Sequence, residues 1–388
     1  MKKLFITVAV ICIIFQVTAC GTAENSNYTS EEYLPELDDQ PNISSRRNIA
    51  EGNGGYYFSD PMAYVYYYDF QSKKSHILCN KPECNHEDET CNAYTGGVSL
   101  RYADAYLYYT AEEGTTGDCY LWRKSGDGSK TEKLFLLYHM EEQEAEYASG
   151  LFCVHRGYVY YFLEGMDGTD GSVLYRRKLE KNAKAEVIET IDSLSEQYIE
   201  VRGVGTKVYY VVYDYDKSNS QAELRSYDIV SGKKETHIKT IGITESYHIY
   251  KDEFYYTEGD NVCRQNLRTG EEEVLLSKEF SESMYISADD NYLYFDNSKD
   301  IDERLEKLEH PREKLAEWYH ERCIYVYDKT SLQQVAVLAI PTQVYAYFDV
   351  AADNLILNIV DEEFRILDKK EIGTENPEWT TIYSVTDY

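Results

Sequence analysis

Three cysteines and one histidine fall within 13 residues, as Cys79-x4-Cys84-x-His86-x4-Cys91. Thiolate and imidazole are the ligands that close a tetrahedral zinc site, and four of them leave no coordination position open for a substrate. Pro82 stiffens the loop between the first two ligands, and the single residue between Cys84 and His86 lets both side chains point one way. The spacing matches neither a standard finger nor the zinc knuckle. The same residues admit a second reading as a disulfide-bearing loop, because exported cysteines tend to pair. One disulfide among three cysteines leaves an odd thiol. Either way the loop is structural, and no catalytic residue is assigned to it.

Other chemistry is sparse. The chain has no Gly-x-Ser-x-Gly elbow and no His-Glu-x-x-His pair. Ser125-x-Asp127-x-Ser129 and Asp214-x-Asp216-x-Ser218 read as hairpin turns, as does the run Asp167 to Gly171; no Glu completes a calcium loop at the twelfth position. His155 and His248 stand beside short strands and are kept as candidates for a binding face. Cys119, Cys153, Cys263 and Cys323 sit in strand contexts and read as small core residues.

The elements that must position these groups are written as one cassette repeated seven times. Its tyrosine-rich strand appears as Tyr56-Tyr57-Phe58, Leu107-Tyr108-Tyr109, Val159-Tyr160-Tyr161, Val208-Tyr209-Tyr210, Phe254-Tyr255-Tyr256, Leu293-Tyr294-Phe295 and Leu355-Ile356-Leu357. A second strand follows each time, often ending in Asp or Arg, then a turn such as Ser125-Gly126-Asp127-Gly128 or Ser231-Gly232-Lys233. A period of about 40 to 60 residues with strand alternation belongs to propeller blades of four short strands. The expectation is an all-β, seven-bladed β-propeller over 48–388, with six or eight blades as neighbouring solutions. One cassette carries an insertion over 298–322 whose apolar residues Ile301, Leu305 and Leu308 switch to helical spacing before Pro311.

The N-terminus points outside the cytoplasm. Lys2 and Lys3 precede an apolar run from Leu4 to Phe15, the layout of a secretory signal over residues 1–19. The run ends in Val17-Thr18-Ala19-Cys20, which resembles a bacterial lipobox, with Cys20 as the lipidated first mature residue. Residues 20–47 are polar and weakly apolar, so they are expected to form a flexible linker lifting the domain off the membrane. The chain has 39 basic and 69 acidic residues, a net charge of −30; losing the two lysines of the signal gives −30 − 2 = −32. A field of that sign repels nucleic acid.

Tyr57-Phe58-Ser59-Asp60, Tyr108-Tyr109-Thr110 and Tyr255-Tyr256-Thr257-Glu258 resemble degenerate forms of the Tyr-Trp-Thr-Asp motif of low-density-lipoprotein-receptor-type propellers. The mature chain is similar throughout to tyrosine-rich propeller lipoproteins of Gram-positive bacteria, a family of unknown function. The resemblance implies a fold and a habit of protein binding. The expected function is a binding or scaffolding module for an extracytoplasmic peptide, protein or glycan, monomeric and membrane-attached through its N-terminal lipid. Structural zinc is the one cofactor expected, at Cys79, Cys84, His86 and Cys91. The alternative is a carbohydrate-active enzyme, a glycosidase or lyase, using carboxylates gathered at the propeller channel.

Overall fold

The computed structural model describes residues 26–35, 37–40, 48–52, 54–97, 99–113, 117–139, 152–164, 172–191, 201–214, 221–242, 247–277, 284–298, 301, 307, 321–342 and 346–387. Over these, each cassette folds into one antiparallel sheet of four consecutive strands. The seven blades span 49–77, 100–138, 152–191, 201–242, 247–277, 285–339 and 346–384. The protein is a seven-bladed β-propeller, as the repeat predicts. The second strand of each blade is buried on both faces because a neighbouring sheet covers each side; Tyr56, Tyr160, Tyr210, Tyr255 and Tyr294 are wholly buried there. The apolar core is accordingly a set of clusters between blades. One joins Tyr57 and Val65 of blade 1 to Leu100, Leu107 and Tyr109 of blade 2.

Among the described residues no strand crosses from one end of the chain into the blade at the other, so the ring closes through side-chain contacts and not through a shared sheet. Phe58 and Tyr66 of blade 1 share a cluster with Phe364 and Tyr383 of blade 7. Ser75 Oγ donates to the Ile382 carbonyl (2.5 Å), Asn354 Nδ2 to Tyr56 Oη (2.9 Å), and Asn358 Nδ2 to Asn48 Oδ1 (2.6 Å).

The innermost strands line the centre of the ring, and the turns that follow them crown one face. After the innermost strand of blade 3 (Phe152–His155), Arg156 and Gly157 both hold positive φ, 46° and 77°. Two such residues in succession make the tight hairpin whose twist matches the strands it joins. Glycine adopts this conformation freely; at Arg156 it places a guanidinium at the centre of the ring.

One expectation is corrected here. The described part of the 20–47 segment is folded onto this face of the ring instead of hanging free. Leu37, Asp38 and Asp39 are buried, and the Arg156 amide donates to the Leu37 carbonyl (2.9 Å). Composition foresees only too little apolar surface for independent folding. Docking here runs on backbone carbonyls and ion pairs, which apolar content does not measure. The signal, Cys20 and most of the helical insertion lie outside the described residues.

Candidate functional site

The four metal-ligand candidates come together. One donor atom from each of Cys79, Cys84, His86 and Cys91 lies within 4.8 Å of all the others. A zinc tetrahedron with bonds of about 2.0–2.3 Å has edges of roughly 3.5–3.8 Å, so closure asks for movements of about an ångström or less. His86 Nδ1 already stands 3.3 Å from Cys91 Sγ. The seven described cysteines are free thiols, with no disulfide among them.

The loop is built to hold that geometry. His86 takes positive φ (58°), reversing the chain between the second and fourth ligands. Hydrogen bonds Cys84 N to Lys81 O (3.3 Å) and Cys91 N to Asp88 O (3.1 Å) form turns at either end, and Asn92 Nδ2 to Asn80 Oδ1 (2.6 Å) clasps the base. Backbone amides face the sulfurs: the Ala93 N–H donates to Cys91 Sγ at 3.3 Å. Burial works against ionisation of Cys79, but the Lys81 and Asn92 amides outweigh it and hold this thiol below its ordinary range. Burial pushes the Cys91 thiol up, to about 11 without a cation. The cluster could hold a metal such as zinc.

A second site lies at the centre of the crowned face. The buried Asp38 carboxylate receives Arg156 Nε (2.6 Å) and the Gly205 amide (2.9 Å). The other guanidinium nitrogens of Arg156 donate to carbonyls of Tyr28 (3.1 Å), Ser30 (2.5 Å) and Glu32 (2.8 Å). Arg202 Nη1 reaches Asp39 Oδ2 (3.2 Å) and the Gln40 carbonyl (2.9 Å). The described residues of the 28–40 segment are thereby strapped across the mouth of the ring.

Beside the strap is a chamber of about 600 Å³, walled by Tyr33 of the strap, by Glu51 and Tyr102, and by turns bearing Tyr250, Lys251 and Asp289. Its two lysines are already matched: Lys251 Nζ to Asp290 Oδ1 and Lys369 Nζ to Asp289 Oδ2, both 2.6 Å. Burial would raise Asp289, yet Lys369 and the Tyr294 hydroxyl hold its carboxyl low. Glu51 is different: burial keeps its carboxyl above the usual range, although the Ala352 amide donates to it (3.0 Å). Asp104, also on the chamber wall, is raised by burial.

His155 does not serve a binding face. It is wholly buried, hydrogen-bonded through Nε2 to the Gly205 carbonyl (2.9 Å). His248 lies in the innermost strand of blade 5 (Tyr247–Tyr250), also buried. Asp127 is a turn residue, accepting from Ser125 Oγ (2.6 Å) and the Ser129 amide (3.0 Å). Tyr102, outside the repeated tyrosine positions, does reach the chamber wall. Sequence reading missed Arg156 and Arg202; for Arg156 the signal available was a cation at a hairpin tip following a short strand, whereas Arg202 lies inside the innermost strand of blade 4 (Val201–Val204) and gave none.

No family model matches the chain, and no curated protein matches it. Solved structures do share the fold. A prolyl endopeptidase is similar over 94% of this chain at 12% identity and a TM-score of 0.53. This chain spans about half (53%) of that one. The β-propeller domain of the trilobed protease from Pyrococcus furiosus is similar over 90% of this chain and 98% of its own, at 8% identity and a TM-score of 0.48. At such identities the likeness concerns the fold alone.

Proposed function

We propose that the protein is a lipid-anchored binding module of the extracytoplasmic surface, and that its ligand enters the central chamber. The observation that carries this reading is the chamber itself: about 600 Å³, with tyrosines contributed by the strap and by separate blades and charged groups among them. Aromatic walls with a few oriented polar groups are the ordinary make-up of a ligand site. A peptide, protein segment or glycan is the expected ligand class. The Cys79, Cys84, His86 and Cys91 cluster is assigned a structural zinc ion, because four ligands leave no position for a substrate. Anchoring rests on Lys2, Lys3, the apolar run and Cys20.

Peptide and glycan arrays on the full-length chain in detergent test the binding reading. Saturable binding that weakens at least tenfold in Tyr102→Ala supports it; binding untouched by Tyr102→Ala and Tyr250→Ala places the ligand elsewhere and sinks the chamber assignment. A glycosidase or lyase is the second reading, favoured by two carboxyls raised by burial on one chamber wall, Glu51 and Asp104. Turnover of chromogenic glycosides or unsaturated products from uronate polymers, lost in Glu51→Gln, would establish it in place of the binding module.

A further inference from the structure

Lys124, near the end of the third strand of blade 2 (Asp118–Ser125), has 1% of its surface exposed. Its Nζ donates to the Asn92 carbonyl (2.5 Å) and to Thr131 Oγ1 (2.7 Å). Both acceptors are neutral. Among the described residues, the titratable groups that bear on it are Cys91, Cys79 and Lys81, with no carboxylate among them. A buried ammonium without a counter-ion is strongly disfavoured, and buried lysines are almost always paired. In so acidic a chain, the absence of a carboxylate beside this one lysine among the described residues needs a reason.

The cysteine loop supplies it. Zn2+ bound by three thiolates and a neutral imidazole carries 2 − 3 = −1 charge, three thiol protons having left to solvent on binding. One cation balances that centre. Lys81 is on the same loop, but it is exposed and its ammonium is turned to the Thr90 carbonyl. Lys124 is buried, bonded to the residue that follows Cys91, and comes from the neighbouring blade.

We infer that Lys124 is the counter-ion of a metal centre formed by Cys79, Cys84, His86 and Cys91, so that the loaded centre and the lysine form a neutral unit across the junction of blades 1 and 2. This rests on the zinc reading of the four ligands. Lys124 is a positioning residue: it acts on the metal through charge and through the Asn92 carbonyl. Its role also separates the two readings left open by spacing, because a disulfide would leave the ammonium with only neutral partners, the Asn92 carbonyl, Thr131 Oγ1 and the Tyr109 ring.

The test uses the full-length chain purified without affinity metals. Elemental analysis should give one zinc per chain in the wild type; a zinc-free wild type with a disulfide ends the zinc reading itself. With zinc present, Lys124→Met should weaken it about tenfold or more in competition with a chromogenic chelator, the range seen when outer groups around a metal are removed. In Cys84→His the centre becomes neutral, 2 − 2 = 0, and there Lys124→Met should change zinc affinity less than threefold. Equal affinity in wild type and Lys124→Met, or an equal loss in both backgrounds, overturns the counter-ion role while leaving the zinc site standing. Should Lys124→Met fail to fold, Lys124→Arg decides: zinc retained within about threefold supports charge, and zinc lost from a folded Lys124→Arg overturns it.

Discussion

Arg156 and Asp38, 118 residues apart, meet at 2.6 Å with both side chains wholly removed from solvent, and this pair fixes the N-terminal strap to the ring. Breaking a buried pair strands the surviving charge at a cost of about 3–5 kcal/mol. Arg156→Ala should therefore lower the thermal midpoint by many degrees and make the strap accessible to protease. Asp38→Asn, which keeps the shape and can still accept from the Gly205 amide, should cost less. Limited proteolysis with mass mapping reads the difference; cleavage between residues 28 and 40 equally slow in Arg156→Ala and wild type would deny the strap its anchor.

His155 makes the same region sensitive to acid. Its ring lies 3.6 Å from Asp38 Oδ1, too long for a hydrogen bond, and burial lowers its pKa to about 4. Because the unfolded chain takes up a proton near pH 6.5 and the native ring resists until about 4, stability is complete above 6.5 and is lost as pH falls between these values. The full loss is on the order of 3 kcal/mol. Denaturant midpoints at pH 7.5 and 5.0 should diverge less in His155→Gln than in wild type. An unchanged divergence in that variant would place the acid sensitivity elsewhere.

Closure of the ring depends on few side chains. Tyr383 is 4% exposed, its ring 4.8 Å from that of Tyr66 and 5.5 Å from that of Phe58. Tyr383→Ala is expected to cost about 3–5 kcal/mol, as large buried aromatics do. Hydrogen exchange should accelerate first in blades 1 and 7. Uniform acceleration around all seven blades would show that the seam is not the weak point.

The zinc reading of the Cys79, Cys84, His86 and Cys91 loop yields a stability prediction that needs no knowledge of ligand. Chelation of zinc, or Cys84→Ser, should lower the midpoint and expose the 79–91 loop to protease while the other blades stay protected. Identical melting with and without chelator, in a chain shown to hold zinc, would mean the ion is not structural.

How much of this was legible in sequence follows from distance along the chain. The blades could be read because Tyr56-Tyr57-Phe58 and its six counterparts return at a fixed period, and the ligands because four of them lie within 13 residues. Asp38 and Arg156 carried no such signal. Each is a single polar residue whose partner is set by ring closure, and the acidic run Glu36-Leu37-Asp38-Asp39 reads as solvated until a guanidinium is placed over it. Lys124 was hidden for the same reason, its Asn92 contact spanning 32 residues and two blades.

The strap sets how the molecule stands. Tyr28, whose carbonyl is bound by Arg156, is eight residues beyond Cys20, and eight residues fully extended reach about 28 Å. With Cys20 lipidated as proposed, the face on which Tyr28 docks would be tethered to the bilayer by no more than that length. Molecules confined to the membrane surface would then reach the chamber ahead of those diffusing from outside.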